Sequence, residues 1–348
     1  MELSDFKPQS KLVSKTTEVL KPRFPVVDAH NHLTCLGGRD WLRSPLSELL
    51  DLLDEAGIVH FIDLDGGWGE DLLRMHLDYF KAKAPERFQI FGGVDWTKWE
   101  TLGNKFPDWA AIRLEAQKKA GAQGLKVWKN LGLHVKDQTG SLVTVDDVRL
   151  EPIWQAAGEL GLPVLIHIAD PVAFFDKLDA NNERWEELAE HPDWSFPSPP
   201  FPPFIEIADS FFRMVKRNPG TVFIGAHVGC HAENLVWVAR MLDLCPNYFI
   251  DISARLGELG RQPYSARRFL IDYQDRAVFG TDNSPSLDQY RLHYRFLETD
   301  DEYFNYNTTA LPSQGRWYVH GLHLPGPVLK KLYSGNAARI FKVPLGDG

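Results

Sequence analysis

Two histidines separated by one residue, His30 and His32, follow the apolar run of residues 24–27. Side chains at positions i and i+2 of a strand point to the same face of a sheet, so both imidazoles are expected to point the same way. Imidazole is the commonest protein ligand for transition metals, whereas a polar ring aimed at an apolar interior without a partner is unfavourable. The pair therefore indicates one wall of a polar site, and its residue types favour metal binding.

The sequence around this pair alternates between short β-rich runs and longer amphipathic runs. Eight strands are predicted, at PVVDAH, VHFIDLD, FQIFGGVD, GAQGLKVW, PVLIHIA, TVFIGAH, YFIDIS and AVFGTD. Between them lie helical runs in which apolar residues recur every three or four positions. This alternation implies a parallel sheet, and eight repeats fit closure into an α/β fold of the (β/α)8 TIM-barrel type. We predict an N-terminal arm over residues 1–23 and a single barrel over residues 24–348.

Two predicted connections are too long to be simple turns. They lie near residues 170–205 and 284–326 and are rich in proline and aromatic residues. Long irregular connections in a compact domain are usually lids or binding loops. Both leave the C-terminal ends of strands, where barrel enzymes build their active sites. We therefore predict that they are lid insertions over a site.

Other predicted strand ends also carry polar side chains that suit a metal centre, namely Lys126, His167, His227 and Asp282. A barrel brings the C-terminal ends of its strands into one small volume, so these groups should converge on the histidine pair. Several imidazoles with a carboxylate form a ligand set suited to Zn²⁺, Fe²⁺ or Mn²⁺. The sequence predicts one or two divalent transition-metal ions at this end of the barrel.

The His-x-His motif is followed in order by LIHIADP, FIGAHVG and FGTDNSP, and this series resembles the amidohydrolase superfamily. It is most similar to the amidohydrolase-related branch that includes the aminocarboxymuconate-semialdehyde decarboxylases. The closing LYSGNAARIF is similar to the C-terminal helix of that branch. The similarity extends from residue 24 to the end of the chain, and it implies a barrel of the metal-dependent hydrolase type.

The resemblance also implies a set of metal ligands, namely His30, His32, His167 and Asp282, with His227 as a further ligand or as the group that orients the attacking water. Asp282 would accept a proton from a metal-activated water and return it to the leaving group. His227 would polarise a substrate carbonyl or help to hold a second metal. Asp282 and His227 are therefore the predicted catalytic residues.

Lys126 has two interpretations, which the sequence leaves open. Some dinuclear amidohydrolases carry a carbamylated lysine at this position, where it bridges two metals. An unmodified ammonium beside a metal is electrostatically unfavourable. The alternative is that Lys126 binds an anionic group of the substrate.

Three further residues have weaker signals. Trp128 ends the fourth predicted strand and Arg255 follows the seventh, and we expect both to contact the substrate, an arginine being suited to a carboxylate or phosphate. Arg255 would equally suit a structural ion pair. Asp28 shares the strand face of the histidine pair but lies deeper, so we expect it to support the pair or to belong to the barrel core, and not to bind the metal directly.

The first functional hypothesis is a metal-dependent hydrolase that attacks a carbonyl of a small molecule, such as an ester, lactone, amide or thioester. The alternative is a non-oxidative decarboxylase, or a hydratase, of a small carboxylic acid on the same metal site. A hypothesis of another class is a non-catalytic metal-binding barrel. An occupied second metal with a modified Lys126 would favour hydrolysis, whereas a single metal and an arginine on a substrate carboxylate would favour decarboxylation.

Composition limits the partners. The net charge of −9 over 348 residues, without a basic stripe, argues against nucleic acid, and no apolar run is long enough to span a membrane. The N-terminus has no signal-peptide pattern, and the three cysteines, Cys35, Cys230 and Cys245, form no paired motif. We therefore expect a cytoplasmic enzyme with reduced thiols. Its expected partners are a small-molecule substrate and, as in many amidohydrolases, copies of itself in a homodimer or larger assembly.

Overall fold

The computed structural model describes residues 5–34, 38–307 and 314–345. Cys35, the first four residues of the predicted arm, residues 308–313 of the second predicted insertion and the last three residues lie outside these ranges. In the described part of the chain, every helix is too short or too polar to cross a bilayer.

Eight short parallel strands follow one another around the fold. They are β1 (Val26–Asn31), β2 (Ile58–Asp63), β3 (Phe88–Ile90), β4 (Leu125–Val127), β5 (Val164–Ile166), β6 (Phe223–Gly225), β7 (Tyr248–Asp251) and β8 (Ala277–Val278). The strands pair in chain order within two groups, β1-β2-β3 and β4-β5-β6-β7-β8. All of them are rich in Val, Ile, Leu and Phe, as expected for strands that are buried on both faces.

The two groups of strands close into one barrel through hydrogen bonds at their edges. The amide of Lys126 in β4 donates to the carbonyl of Gly92 beyond β3, at 2.8 Å. On the other side, the amide of Ala29 in β1 donates to the carbonyl of Phe279 beyond β8, at 2.9 Å. The chain is therefore a (β/α)8 barrel, as the alternation of elements predicts.

Helices cover the outside of the barrel. They are α1 (Leu46–Ala56), α2 (Glu70–His76), α3 (Lys98–Leu102), α4 (Phe106–Ala120), α5 (Glu151–Glu159), α6 (Trp185–Glu190), α7 (Phe204–Arg217), α8 (Leu235–Leu244), α9 (Leu256–Arg261), α10 (Pro263–Asp272), α11 (Leu287–Glu298), α12 (Gly326–Lys330) and α13 (Asn336–Phe341). Gly57 ends α1 at a φ of +77°, which glycine adopts without strain, and its amide donates to the free carbonyls of Leu53 and Asp54.

The apolar core has an inner and an outer part. Inside the barrel, inward side chains of most of the strands pack together, among them Val27, Ile62, Leu165 and Ile224. Phe341 and Val343, at the end of the last helix, join this cluster. The outer part, between strands and helices, is a larger apolar layer. The inner cluster therefore forms an apolar floor beneath the groups at the strand ends.

The pairing of β1 with β2 is irregular just before the histidine pair. Val27 and Ala29 both belong to the inner cluster, so strict alternation would turn Asn31, and not His30, towards the interior. The register between β1 and β2 shifts between Asp28 and Asn31. Past this shift the rings of His30 and His32 face the mouth of the barrel.

The two predicted insertions follow β5 and β8. Residues 167–203 join β5 to α7 and contain α6, with short 3-10 turns at Val172–Phe175 and Pro192–Trp194. The second region contains α11, after which residues 299–325 run without a helix to α12 over the described positions. Their role as lids stays a prediction.

Candidate metal centre

The ring of His30 is held from behind by a carboxylate. Its Nδ1 lies 2.8 Å from Oδ2 of Asp251, the last residue of β7. The other carboxylate oxygen, Oδ1, accepts hydrogen bonds from the amides of His227 (2.9 Å) and Ser253 (3.0 Å) and from the Ser253 hydroxyl (2.6 Å). Asp251 therefore fixes the direction of His30 and leaves its Nε2 pointing into the mouth.

His32 is held in the same manner by another strand end. Its Nδ1 lies 2.6 Å from Oδ1 of Asp65, which begins the 3-10 turn after β2. Both side chains are fully buried, and Nε2 of His32 has no hydrogen-bond partner among the described residues. Burial lowers the pKa of His32, but the carboxylates of Asp282 and Asp65 outweigh it and raise the pKa to about 9. The two carboxylates therefore favour a positive charge at this position, which a proton on the ring or a metal ion at Nε2 would supply.

Asp282 brings the free nitrogens of three histidines together. Its Oδ1 lies 3.3 Å from Nε2 of His30 and 3.1 Å from Nε2 of His32, and its Oδ2 lies 3.6 Å from Nε2 of His227. The residue adopts a φ of +56°, and its amide donates to the carbonyl of His30 at 2.8 Å. Burial raises the pKa of Asp282, but the neighbouring histidines hold it well below its usual range.

His227 sits on a strained turn after β6. It and the next residue, Val228, both adopt a φ of +59°, which is rare for side chains with a Cβ. Its Nδ1 donates to the carbonyl of Ser253 at 3.0 Å, so the lone pair of Nε2 remains directed towards Asp282. Burial and the charge of Arg255 hold the pKa of His227 well below its usual range. The ring is therefore neutral and suited to metal ligation or proton abstraction.

Lys126 lies inside this group. Its Nζ is 3.2 Å from Nε2 of His30 and 4.5 Å from the centre of the Trp128 ring, and the side chain is 1% exposed. Burial lowers the pKa of Lys126 to about 8, although Asp282 and Asp251 act in the opposite direction. The predicted proximity of Lys126 to the metal ligands is thus present in the structure, whereas its chemical role stays a prediction.

His167 lies beside the group but faces another partner. Its ring centre is 4.5 Å from that of His227. Its Nε2 donates to the carbonyl of Ala169 at 3.1 Å and is 3.4 Å from Oδ1 of Asp170, which also binds Lys129. Among the described residues, His167 belongs to none of the groups whose ligand atoms lie close enough to share an ion. Its role as a ligand stays a prediction.

The two residues predicted to contact the substrate border the same centre. The Trp128 ring is 5.3 Å from that of His32 and stacks on Trp68 at 4.2 Å, so it lies between the rings of His32 and Trp68. Arg255 is 5% exposed, and its Nη1 donates to the carbonyl of Ala254 at 2.8 Å, while its Nε has no partner in the described part of the chain.

A cavity of 230 Å³ opens at Asp282, whose side chain is 19% exposed. Glu187 from α6 lines it on one side, and Tyr306 and Gln314 from the second insertion line it on the other. Burial raises the pKa of Glu187, although the charge of Arg184 opposes this. Residues from both predicted insertions therefore reach the open side of the centre.

Sequence reasoning missed the carboxylates behind the histidine pair. Asp251 was visible as the end of a strand, and Asp65 as the first acid of a glycine-rich turn, but neither had a spacing that marks a ligand. Asp28 was expected to support the pair. Its buried carboxylate accepts hydrogen bonds from Asn31 (2.6 Å), from Thr281 (2.9 Å) and, at 3.3 Å, from the amide of His30.

The donor set fits a divalent cation. His30, His32 and Asp282 place three ligand atoms within 4.8 Å of one another, and the Nε2 of His32 is buried without a hydrogen-bond partner. The carboxylates of Asp65 and Asp251, both buried, and of Asp282, which is 19% exposed, outnumber the two buried cations beside them, Lys126 and Arg255. A divalent ion would offset this excess negative charge and satisfy the orphaned nitrogen. Imidazole with carboxylate suits Zn²⁺, Fe²⁺ and Mn²⁺ alike.

Comparison with known proteins agrees with this arrangement. The family model described as amidohydrolase matches residues 27–343. No curated protein matches the chain. Among solved structures, the chain is similar to 2,6-dihydroxybenzoate decarboxylase from Rhizobium, with 17% identity and a TM-score of 0.55 over 92% of this chain and 99% of the other.

Two further structures are similar. One is 5-carboxyvanillate decarboxylase from Sphingomonas paucimobilis, with 16% identity and a TM-score of 0.55 over 92% of this chain and 100% of the other. The second is dihydroxybenzoic acid decarboxylase from Polaromonas sp. JS666, with bound manganese and the inhibitor 2-nitroresorcinol. It has 18% identity and a TM-score of 0.56 over 92% of this chain and 97% of the other. At these identities the likeness shows the fold.

Proposed function

We propose that this chain, which belongs to the amidohydrolase family, is a metal-dependent decarboxylase of a small carboxylic acid. The observation that carries the proposal is the likeness, over 92% of the chain, to solved decarboxylases that act on hydroxylated aromatic acids. This reverses the order of the two sequence-based hypotheses, in which hydrolysis came first. Because hydrolysis and decarboxylation would use the same metal ligands, the sequence alone separates the two reactions poorly.

The metal ligands in this proposal are His30, His32 and Asp282, with His227 beside them and His167 as a further candidate. The manganese named in the Polaromonas structure makes Mn²⁺ the first ion to test, ahead of Zn²⁺ and Fe²⁺. A bound ion would polarise a substrate oxygen as a Lewis acid and stabilise the negative charge that develops on the substrate.

The buried cations would bind the acid. Lys126 and Arg255 are the charged donors beside the histidines, and both suit a carboxylate or a phenolate oxygen. In the reaction the bond from carbon to the carboxyl group breaks, its electron pair stays on carbon, and that carbon takes a proton as CO₂ leaves. Asp282 is the proposed group that moves this proton between water and the substrate. Neutral His227 presents a lone pair at Nε2 and so suits a base or a ligand.

Hydrolysis is the second candidate because of one residue. Lys126 lies within hydrogen-bonding distance of a proposed metal ligand, His30, and burial lowers its pKa to about 8. A larger neutral fraction favours reaction of this amine with CO₂ to a carbamate, which would offer two oxygens to a second ion. A mass spectrum of the intact protein with one added CO₂, together with two ions per chain, would support this candidate.

One assay separates the two functions. Protein treated with a chelator and reloaded with Mn²⁺ is incubated with 2,6-dihydroxybenzoate and 5-carboxyvanillate, and in parallel with a panel of lactones and esters. Release of CO₂ by the Mn²⁺ form but not by the chelated form supports decarboxylation. Hydrolysis of a lactone or an ester, without CO₂ from either acid, would favour the second candidate instead.

A further inference from the structure

A closed group of buried polar residues lies behind His32, away from the mouth. Oδ2 of Asp65 accepts hydrogen bonds from the amide of Leu33 (2.9 Å) and from the amide (2.7 Å) and hydroxyl (2.9 Å) of Thr34. The Thr34 hydroxyl is 3.2 Å from Nε2 of His76. Nδ1 of His76 lies 2.5 Å from Oδ2 of Asp63, and Oδ1 of Asp63 accepts the amide of Asp65 at 3.3 Å.

This group joins three separate parts of the chain. Asp63 ends β2, Asp65 begins the following turn, and His76 is the last residue of α2, where its ring packs against Phe80 at 5.1 Å. The carboxylates and the His76 ring are fully buried. The hydrogen bonds link Asp65, Thr34, His76 and Asp63 in a closed ring, and His32 is joined to this ring through Asp65. Because Asp63 belongs to β2 and His76 to α2, the ring is fixed to regular structure.

Asp63, Asp65 and His76 have ligand atoms close enough to share an ion, but hydrogen bonds already engage these atoms. Each oxygen of both carboxylates already accepts a hydrogen bond, and both nitrogens of His76 have a partner. The hydrogen bonds instead direct one oxygen, Oδ1 of Asp65, towards His32. With Oδ2 of Asp65 occupied by three donors, Oδ1 is left for the Nδ1 of His32.

We propose that Asp65 is a positioning residue for the metal centre, and that Thr34, Asp63 and His76 hold it in place. This inference rests on the proposed metal centre. A carboxylate only accepts hydrogen bonds, so Nδ1 of His32 must carry its proton when it faces Asp65. A neutral imidazole has one proton, and the lone pair is then on Nε2, directed at the ion. Without Asp65, the His32 ring could rotate, and either of its nitrogens could carry the proton.

The test is the affinity for Mn²⁺ alone, measured by titration of the chelated protein. The main variant is Asp65→Asn, which keeps the size of the side chain but presents an NH₂ group that can donate to Nδ1 and so favour the tautomer protonated at Nε2. We expect Mn²⁺ binding to weaken by about 10- to 100-fold, the range found for groups that orient metal ligands.

Asp301→Asn is the matched control. Asp301 is also fully buried and accepts hydrogen bonds from Thr17 (2.7 Å) and Arg295 (2.8 Å), with no described contact to the metal-centre residues. The Mn²⁺ affinity of the Asp301→Asn variant should stay within about twofold of the wild type, since no proposed metal ligand contacts Asp301. Unchanged binding by Asp65→Asn, or equal weakening in both variants, would overturn the assignment.

Thr34 gives a milder test if Asp65→Asn does not fold. Thr34→Ala removes one hydrogen bond to Asp65 and should weaken Mn²⁺ binding by about 2- to 10-fold, the equivalent of one hydrogen bond, while Thr34→Ser keeps the hydroxyl and should restore it. Equal affinities in the alanine and serine variants would contradict the proposal. Absence of Mn²⁺ binding by the wild type would instead refute the metal centre itself, and with it the proposed function.

Discussion

Arg184 should be a large single contributor to stability, because it is a buried charge with buried partners. It precedes α6 in the first insertion and is 1% exposed. Its Nη1 donates to Glu187 at 2.7 Å, and its Nη2 binds Glu258 of α9, which is 2% exposed. Removing the guanidinium leaves a carboxylate buried between the insertion and the barrel without its counter-charge.

The size of the effect follows from this burial. Breaking one side of a buried ion pair costs about 3–5 kcal/mol, whereas an exposed pair contributes about 0–1 kcal/mol. With an unfolding entropy of about 2.1 cal/mol/K per residue, a chain of this length should lose roughly 4–7 °C in Tm in Arg184→Met. Arg74→Ala is the control, since Arg74 and its partner Asp71 are 71% and 90% exposed.

Thermal unfolding followed by circular dichroism and tryptophan fluorescence measures both variants. The double variant Arg184→Met/Glu258→Gln should recover part of the loss, because it removes the unpaired charge as well. A Tm for Arg184→Met no lower than that of Arg74→Ala would show that the pair is not desolvated in solution, and the reasoning from burial would fail.

Three further outcomes are expected. Asp282→Asn should keep the fold but lower turnover by at least about 100-fold on any acid found to react, and near-native turnover would exclude its proton-transfer role. Burial lowers the pKa of His60 to about 4 in the folded protein, below the value of about 6.5 in the unfolded chain. Between pH 4 and 6.5 the unfolded chain therefore binds more protons than the folded protein. The contribution of His60 to the free energy of unfolding should therefore fall by up to about 3 kcal/mol from pH 6.5 to 4, and urea titrations should find the pH dependence of stability reduced in His60→Phe. Gly280→Ala would place a Cβ 2.7 Å from that of His30 and should weaken Mn²⁺ binding, whereas Gly220→Ala, with open space around it, should not; equal affinities would refute this contact.

The fold was predictable because it depends on composition and order. Runs of Val, Ile and Phe bounded by turns are strands, and their alternation with amphipathic runs leaves few topologies other than a barrel. The same rule is enough to place His30, His32, His227 and Asp282 at one end of the barrel. Strand ends converge whatever the details of the loops.

The geometry of the site was less predictable. Strict alternation along β1 would turn His30 away from the interior, but the pairing of β1 with β2 changes register between Asp28 and Asn31, a stretch that includes His30. The rotamer of His167, which faces Asp170, depends on a loop conformation that no periodicity encodes. Asp65 and Asp251 act through hydrogen bonds between distant segments, and no local spacing in the sequence marks such pairs.

The seam that closes the barrel is also the base of the metal centre. The amide of Ala29 donates to the carbonyl of Phe279 at 2.9 Å, and the amide of Asp282, three residues after Phe279, donates to the carbonyl of His30, the residue after Ala29, at 2.8 Å. Gly280 lies between these bonds, where its missing Cβ lets the two segments approach. The contacts that join the last strand to the first thus set the distance from Asp282 to His30. Any perturbation that opens this seam should release a bound metal and destabilise the barrel together, whereas changes in the two predicted insertions should affect substrate binding alone.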